Sequence, residues 1–203
     1  NAQMNPHFMY NALNSIQNYI TSHDVNLATK YLAKFAQLMR QSLEYSNQEV
    51  ISLEEEIQFL EQYLYINEKL RFNDRLQHEI IIDEEIEEDI LGVHTMIIQP
   101  YVENALKHGL LHLQENRKLV LEFGQNGGVL QVTIEDNGVG RAKAEEIAKQ
   151  KKKHQSFSSE ATENRLQSMK NADGIYGSVE VIDLCENDAA SGTKVIIQIP
   201  LAQ

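Results

Sequence analysis

The chain has 203 residues, 42% of them hydrophobic and 24% charged, a balance that supports a buried core and an ordinary globular domain or two. A formal net charge of -12 excludes a general nucleic-acid binder, which needs a basic footprint, but leaves room for a nucleotide bound at a local positive site. The single cysteine, Cys185, excludes an intrachain disulfide and fits a reducing compartment, and no apolar run is long enough for a membrane helix.

The chain opens in the middle of a pattern, so it reads as a fragment, with any membrane segment lying upstream. The spacing predicts a helix from Met4 to Ile20, with Phe8, Ala12, Ile16 and Tyr19 on one side. Asn5-Pro6 is either an N-cap with proline at the first helical position or a kink in a longer helix. A turn over Thr21–Asp24 leads into a second helix, Val25 to Tyr45, and the two make an αα-hairpin. Ser52-Leu53-Glu54-Glu55 is a capping box opening a third helix through about Leu70. The β-branched run Ile80-Ile81-Ile82 marks a strand over 76–83, and the acid-rich stretch 83–89 reads as a solvated connector.

The segment Ile97–Gly109 predicts an amphipathic helix. Val102, Ala105 and Leu106 form its apolar stripe, and Glu103, Asn104, Lys107 and His108 its polar face, with Gly109 as the C-terminal stop. Taken alone, that polar face is either an ordinary solvated one or a metal-phosphate site, because Mg²⁺ takes oxygen ligands and keeps phosphates in its shell. Two strands at 118–124 and 129–135 are joined by a turn at Asn126-Gly127-Gly128, followed by the loop Asp136-Asn137-Gly138-Val139-Gly140. Its glycines permit a sharp turn and close approach of a ligand, and Asp136 is placed to accept a hydrogen bond from an amino group on a planar base. A short helix at 142–149, a basic loop at Lys151-Lys152-Lys153, a helix at 160–171 and strands at 178–184 and 193–199 complete the chain. Helices first and a mixed β/α segment after them predict an α+β chain with a boundary near 73–75. Cys185, in a predicted strand with no histidine nearby in sequence, reads as a buried structural thiol. His108 and His112 lack the glutamate that zinc-peptidase spacing requires.

Four ordered motifs then carry a resemblance. Glu103-Asn104-Ala105-Leu106-Lys107-His108 resembles the N-box, and Asp136–Gly140 the first glycine box, of the GHKL (Bergerat) ATP-binding fold. Gly192-Thr193-Lys194-Val195 is similar to the Gly-Thr element that closes the adenine pocket in that group. Asn5-Pro6-His7-Phe8-Met9-Tyr10-Asn11-Ala12-Leu13-Asn14 resembles the phosphoacceptor box of the LytS-like sensor histidine kinases. The resemblance implies a helical dimerisation and phosphoacceptor region over 1–73 and a two-layer GHKL ATP-binding domain over 74–203.

It also implies roles. His7 is the phosphoacceptor, with Asn11 one turn later and Glu103 as the nearest candidate base or water-positioner. Asn104 coordinates Mg²⁺, Lys107 and His108 contact phosphates, and Asp136 holds the adenine amino group. Gly138 and Gly140 shape the pocket, Thr193 sits against the base, and Arg165 reaches a phosphate or an acid. Lys151 to Lys153 belong to the ATP lid. The implied activity is ATP-dependent autophosphorylation on histidine and transfer to an aspartate of a response regulator, by a homodimer that binds no nucleic acid. The fragment would then be the cytoplasmic portion of a protein held in the cell membrane by a segment outside it. Two departures stand out. Ser158 occupies the place of a glycine in the second glycine box, expected just before the 160–171 helix, and no acid directly follows His7, which the LytS-like branch tolerates. A degenerate kinase acting as a dimeric scaffold is the alternative reading, and a GHKL serine kinase or ATPase a third.

Overall fold

A computed structural model describes residues 6–22, 24–150, 157–187 and 189–201, with backbone alone at 7, 148–150 and 157–160. Helices α1 (Pro6–Thr21) and α2 (Val25–Tyr45) form the expected antiparallel hairpin. Asp24 caps α2, its Oδ1 accepting the Leu27 N–H at 3.3 Å. Strand β1 (Val50–Ser52) runs into α3 (Leu53–Ile66), whose capping box is complete. Ser52 Oγ accepts the Glu55 N–H at 3.1 Å, and Glu55 returns Oε2 to the Ser52 N–H at 2.9 Å. A π turn, Asn67–Arg71, ends that helix.

The second half follows in β2 (Leu76–Ile82), β3 (Gly92–His94) and α4 (Gln99–Asn104), the last extended by a π turn at Ala105–Gly109 and a 3₁₀ turn at Leu110–His112. Then come β4 (Arg117–Asn126), β5 (Val129–Asp136), α5 (Arg141–Gln150), α6 (Phe157–Ser168), β6 (Ser178–Glu186) and β7 (Ala189–Pro200). The sheet order is β2-β4-β5-β7-β6. Among the described residues only the β2–β4 pair is parallel, and the crossover it demands carries α4. The architecture is α+β, as the element order predicts. The short antiparallel pair β1–β3 was not predicted, since three-residue strands show no period.

Apolar residues at helical spacing set the packing. Phe8, Ala12 and Ile16 of α1 are buried against α2 and α3, with the Phe8 ring 4.8 Å from that of Tyr63 and 6.2 Å from that of Phe35. The opposite edge of the hairpin leaves Tyr10, Leu13, Ile20, Leu32 and Leu43 exposed. The core is continuous from Phe8 through Tyr63 and Leu106 to Ile199. Asn73 and Asp74, both at positive φ, turn the chain from the π turn into β2, at the point where the sequence suggests a boundary.

Three expectations need correction. Gly109 does not stop its helix in a left-handed cap: its φ is -86° and the chain continues into the 3₁₀ turn. Cys185 is exposed, because β6 is an edge strand with an irregularity between Leu184 and Cys185. Ser158 lies within the first turn of α6, not ahead of it, since that helix begins at Phe157.

Candidate functional site

The site is built where the end of the α4 segment meets the loop after β5. Val102, Ala105 and Leu106 are buried, while Glu103, Asn104, Lys107 and His108 are half-buried on the other face, the division the spacing predicts. Gly109 earns its place by proximity. A Cβ there would stand 2.5 Å from Asp136 Oδ1, and a Cβ on Gly138 would stand 2.4 Å from the Gly109 backbone. The Val139 N–H donates to the Gly109 carbonyl at 3.3 Å, so the two motifs are joined main chain to main chain.

Asp136 ends β5 and is buried. Its Oδ1 accepts the Gly138 N–H at 2.8 Å, and its carboxylate also accepts the Thr193 N–H from the facing strand. Burial pushes its pKa up to about 6, against the pull of those two N–H donors. Asp136 and Thr193 are register partners in the β5–β7 pair. A Cβ at Gly192 would fall 1.9 Å from the Asp136 carbonyl oxygen, so only glycine fits beside it. Gly140, at φ +78°, turns the chain into α5 in a conformation that favours glycine. Arg141 then fastens the start of α5 to β6 with two 2.8 Å hydrogen bonds to the Asp183 carboxylate.

Asp136, Gly138, Gly140, Thr193 and the end of the α4 segment are thus brought together. Gly138 and Val139 also form part of the wall of an open cleft of about 570 Å³, with Leu113, Ala142, Lys143 and Ala190. Asn104, Lys107 and His108 are not among the residues lining that cleft. Arg165 is in a different place: its Nη1 donates to the Thr95 carbonyl at 3.0 Å, and its charge faces the buried Glu56 rather than the glycine loop. Asn11 is partly buried on α1, whereas the His7 side chain and Lys151–Lys153 lie outside the described residues.

Two structural side chains escaped sequence reasoning. Asn137 staples the loop to the chain before β4, its Oδ1 accepting the Lys118 N–H at 2.7 Å and its Nδ2 donating to the Asn116 carbonyl at 2.6 Å. Glu56 is fully buried, and its Oε2 accepts the Met96 N–H at 3.4 Å just before α4. Its place on the inner face of α3, an acid amid apolar positions, was the available signal.

A purine nucleotide fits these residues. A buried acceptor carboxylate suits an exocyclic amino group, and the glycines leave main chain bare where a ligand would approach. No group of His, Cys, Asp and Glu able to hold a metal by itself occurs among the described residues, so a cation would rest on oxygen donors such as the Asn104 amide together with a ligand's phosphates.

Comparison with known proteins agrees with the motifs. Residues 1–76 match the family model described as histidine kinase. The chain is similar to the sensor histidine kinase BtsS of Escherichia coli, 38% identical over 138 residues that make up 67% of this chain and 23% of BtsS. It is similar to the sensor protein LytS of Staphylococcus saprophyticus, 31% identical over 201 residues, covering 98% of this chain and 32% of LytS. Among solved structures it is similar to the histidine kinase AdeS of Acinetobacter baumannii, with a TM-score of 0.49 and 13% identity over 97% of this chain and 98% of that one. The chain spans about a quarter to a third of the length of the curated relatives named here.

Proposed function

We propose that this chain, which belongs to the LytS-like branch of the sensor histidine kinases, binds Mg-ATP, phosphorylates His7 and passes the phosphoryl group to an aspartate of a response regulator. The observation that carries this reading is the junction of Gly109 with Gly138 and Asp136, which puts the end of the N-box segment against the glycine box. Residues 1–73 then serve as the dimerisation and phosphoacceptor region and 74–203 as the GHKL ATP-binding domain. The protein's membrane attachment lies in a segment outside this chain, with the kinase portion in the cytoplasm; no helix among the described residues is long and apolar enough to cross a membrane.

Each residue has a stated task. Asp136 accepts the adenine amino group, Gly138 and Gly140 keep the pocket wall thin, and Thr193 closes it. Asn104 would hold Mg²⁺, which would supply charge neutralisation at the phosphate oxygens. Lys107 and His108 add donors on the same face, and Arg165 supports the helix after the lid. Phosphoryl transfer asks mainly for positioning and electrostatics, which these groups provide. A neutral imidazole at position 7 forms the N–P bond while the bond from the γ-phosphorus to the bridging oxygen breaks and ADP departs. Glu103 is the candidate acceptor for the imidazole proton.

The exposed apolar edge of the α1–α2 hairpin supports a homodimer, because a two-helix hairpin buries only part of its surface and four helices complete the bundle. The test is incubation with γ-labelled ATP and Mg²⁺. Acid-labile label that disappears in His7→Gln is expected. Label that persists in that variant, or that survives acid, overturns the assignment.

A further inference from the structure

Where the α4 segment ends and β4 begins, residues 116–118 form a brace that the roles above leave unused. Its middle member is Arg117, the first residue of β4, which is buried although it carries a charge. Its guanidinium donates to carbonyls at and just beyond the end of the α4 segment. Nε donates to the Leu110 carbonyl at 2.9 Å, Nη1 to that of Gln114 at 3.2 Å, and Nη2 to that of Leu113. The last carbonyls of a helical segment have no partner within it, and a cation beside them also suits the helix dipole. The guanidinium carbon stands 5.0 Å from the centre of the buried Phe72 ring, a cation–π contact that helps to hold the fork in place.

Both chain neighbours of Arg117 are bound by Asn137 of the glycine loop. The Asn137 side chain accepts the Lys118 N–H and donates to the Asn116 carbonyl, and its own N–H donates to the Lys118 carbonyl at 3.3 Å. Asn116, at φ +56°, makes the turn that brings these partners together, in a conformation asparagine tolerates. Residues 116–118 are thus bonded to both motifs at once. Leu113, held through its carbonyl, and Asn137 are both in the wall of the open cleft.

We propose that Arg117 and Asn137 are positioning residues of the nucleotide site, together setting the angle between the α4 segment and the Asp136–Gly140 loop. This rests on the nucleotide-binding reading above. The contact of Gly109 with Gly138 and Val139 joins the two motifs at one place, about which they could turn. The brace is a second attachment, and two attachments fix an angle that one leaves free. A ligand that must reach Asn104 at one end and Asp136 at the other needs that angle held. Lysine in place of Arg117 keeps the charge but lacks the planar fork that serves several carbonyls together.

The test uses the full chain and combines amide exchange with calorimetry. The Gly138 and Val139 N–H groups bond to Asp136 and Gly109, so their exchange reports on the junction directly. Without ligand, Arg117→Met should speed exchange at Gly138 and Val139 roughly 10-fold or more, with the buried strand residues Leu121 and Val132 unchanged. Equal acceleration at all of these amides would mean a packing role and overturn the proposal, as would no change at Gly138 and Val139. Kd for Mg-ATP should rise roughly 10-fold in Arg117→Met and in Asn137→Ala, with Arg117→Lys recovering part of the loss. Because both side chains act through one segment, the double variant should bind no more weakly than the weaker single variant. Multiplied losses, or an unchanged Kd in the single variants, overturn the proposal. If Arg117→Met does not fold, Arg117→Lys takes its place in both measurements. If the parent chain binds no Mg-ATP, the nucleotide reading fails, and exchange alone still decides whether Arg117 braces the loop.

Discussion

Glu56 and Arg165, from α3 and α6, grip the same short stretch of main chain. Glu56 accepts the N–H groups of Met96 and Ile98, and Arg165 donates to the carbonyl of Thr95 at 3.0 Å. That stretch leads directly into α4, whose first turn has no side-chain cap of its own. A carboxylate at the start of a helix is favourable to its dipole, and the arginine offsets part of the cost of burying it.

Burial nonetheless pushes Glu56 up to about 7, and its Oε1 has no hydrogen-bond partner. The folded chain keeps this proton at pH values where the unfolded chain has lost it. The contribution to stability is therefore full below about pH 4.5 and is lost as pH rises through about 7, a loss of up to about 3 kcal/mol. Glu56→Gln should be close to the parent at pH 5 and more stable at pH 8, as measured by urea unfolding at both values. A constant difference across that range would contradict the assignment.

Asp136→Asn should keep the fold, since one carboxamide oxygen still accepts the Gly138 N–H, but weaken nucleotide binding. Losing a charged acceptor costs about 1.5–3 kcal/mol, roughly 10- to 100-fold in Kd by calorimetry. The parent should also lose affinity as pH falls through about 6, where Asp136 takes up a proton. That pH dependence should be absent from the variant.

Gly138→Ala introduces a methyl group 2.4 Å from the Gly109 backbone. Main chain on both sides must give way, at a cost of about 1–3 kcal/mol. Because the displaced atoms join the two motifs, melting temperature and ATP affinity should fall together. Gly124→Ala is the control: a Cβ there meets nothing within 4 Å.

Placing charge on the exposed hairpin edge should separate the protomers. Leu13→Lys with Leu43→Lys changes residues that are 46% and 65% exposed, so the fold of each protomer should survive. Light scattering should then report the monomer mass where the parent reports the dimer.

Local signals were legible because their causes are local. The capping box at Ser52–Glu55 and the apolar spacing of Phe8, Ala12 and Ile16 on α1 each depend on neighbouring residues, and both occur as read. The Asp136–Gly140 loop and Gly192-Thr193 were legible as motifs, and their contact through the Thr193 N–H gives them a common purpose. The remainder is tertiary. Gly109 reads as a helix stop in the sequence because nothing nearby in the chain announces Asp136. Arg165 has its partner seventy residues earlier, at Thr95. Cys185 follows an apolar strand pattern that suggests burial, but the strand sits at the sheet edge, where one flank faces water.

The pairing of Asp136 with Thr193 also sets an order of events during synthesis. β5 leaves the ribosome well before β7, and until β7 arrives the Asp136 carboxylate lacks one of its two N–H donors and β5 keeps one edge open. Long-range pairings of this kind form slowly. A nascent chain that has completed α1, α2 and α4 would thus already display the helix proposed to carry the phosphoacceptor while the proposed nucleotide pocket is still incomplete, which separates the appearance of the two halves of the proposed reaction.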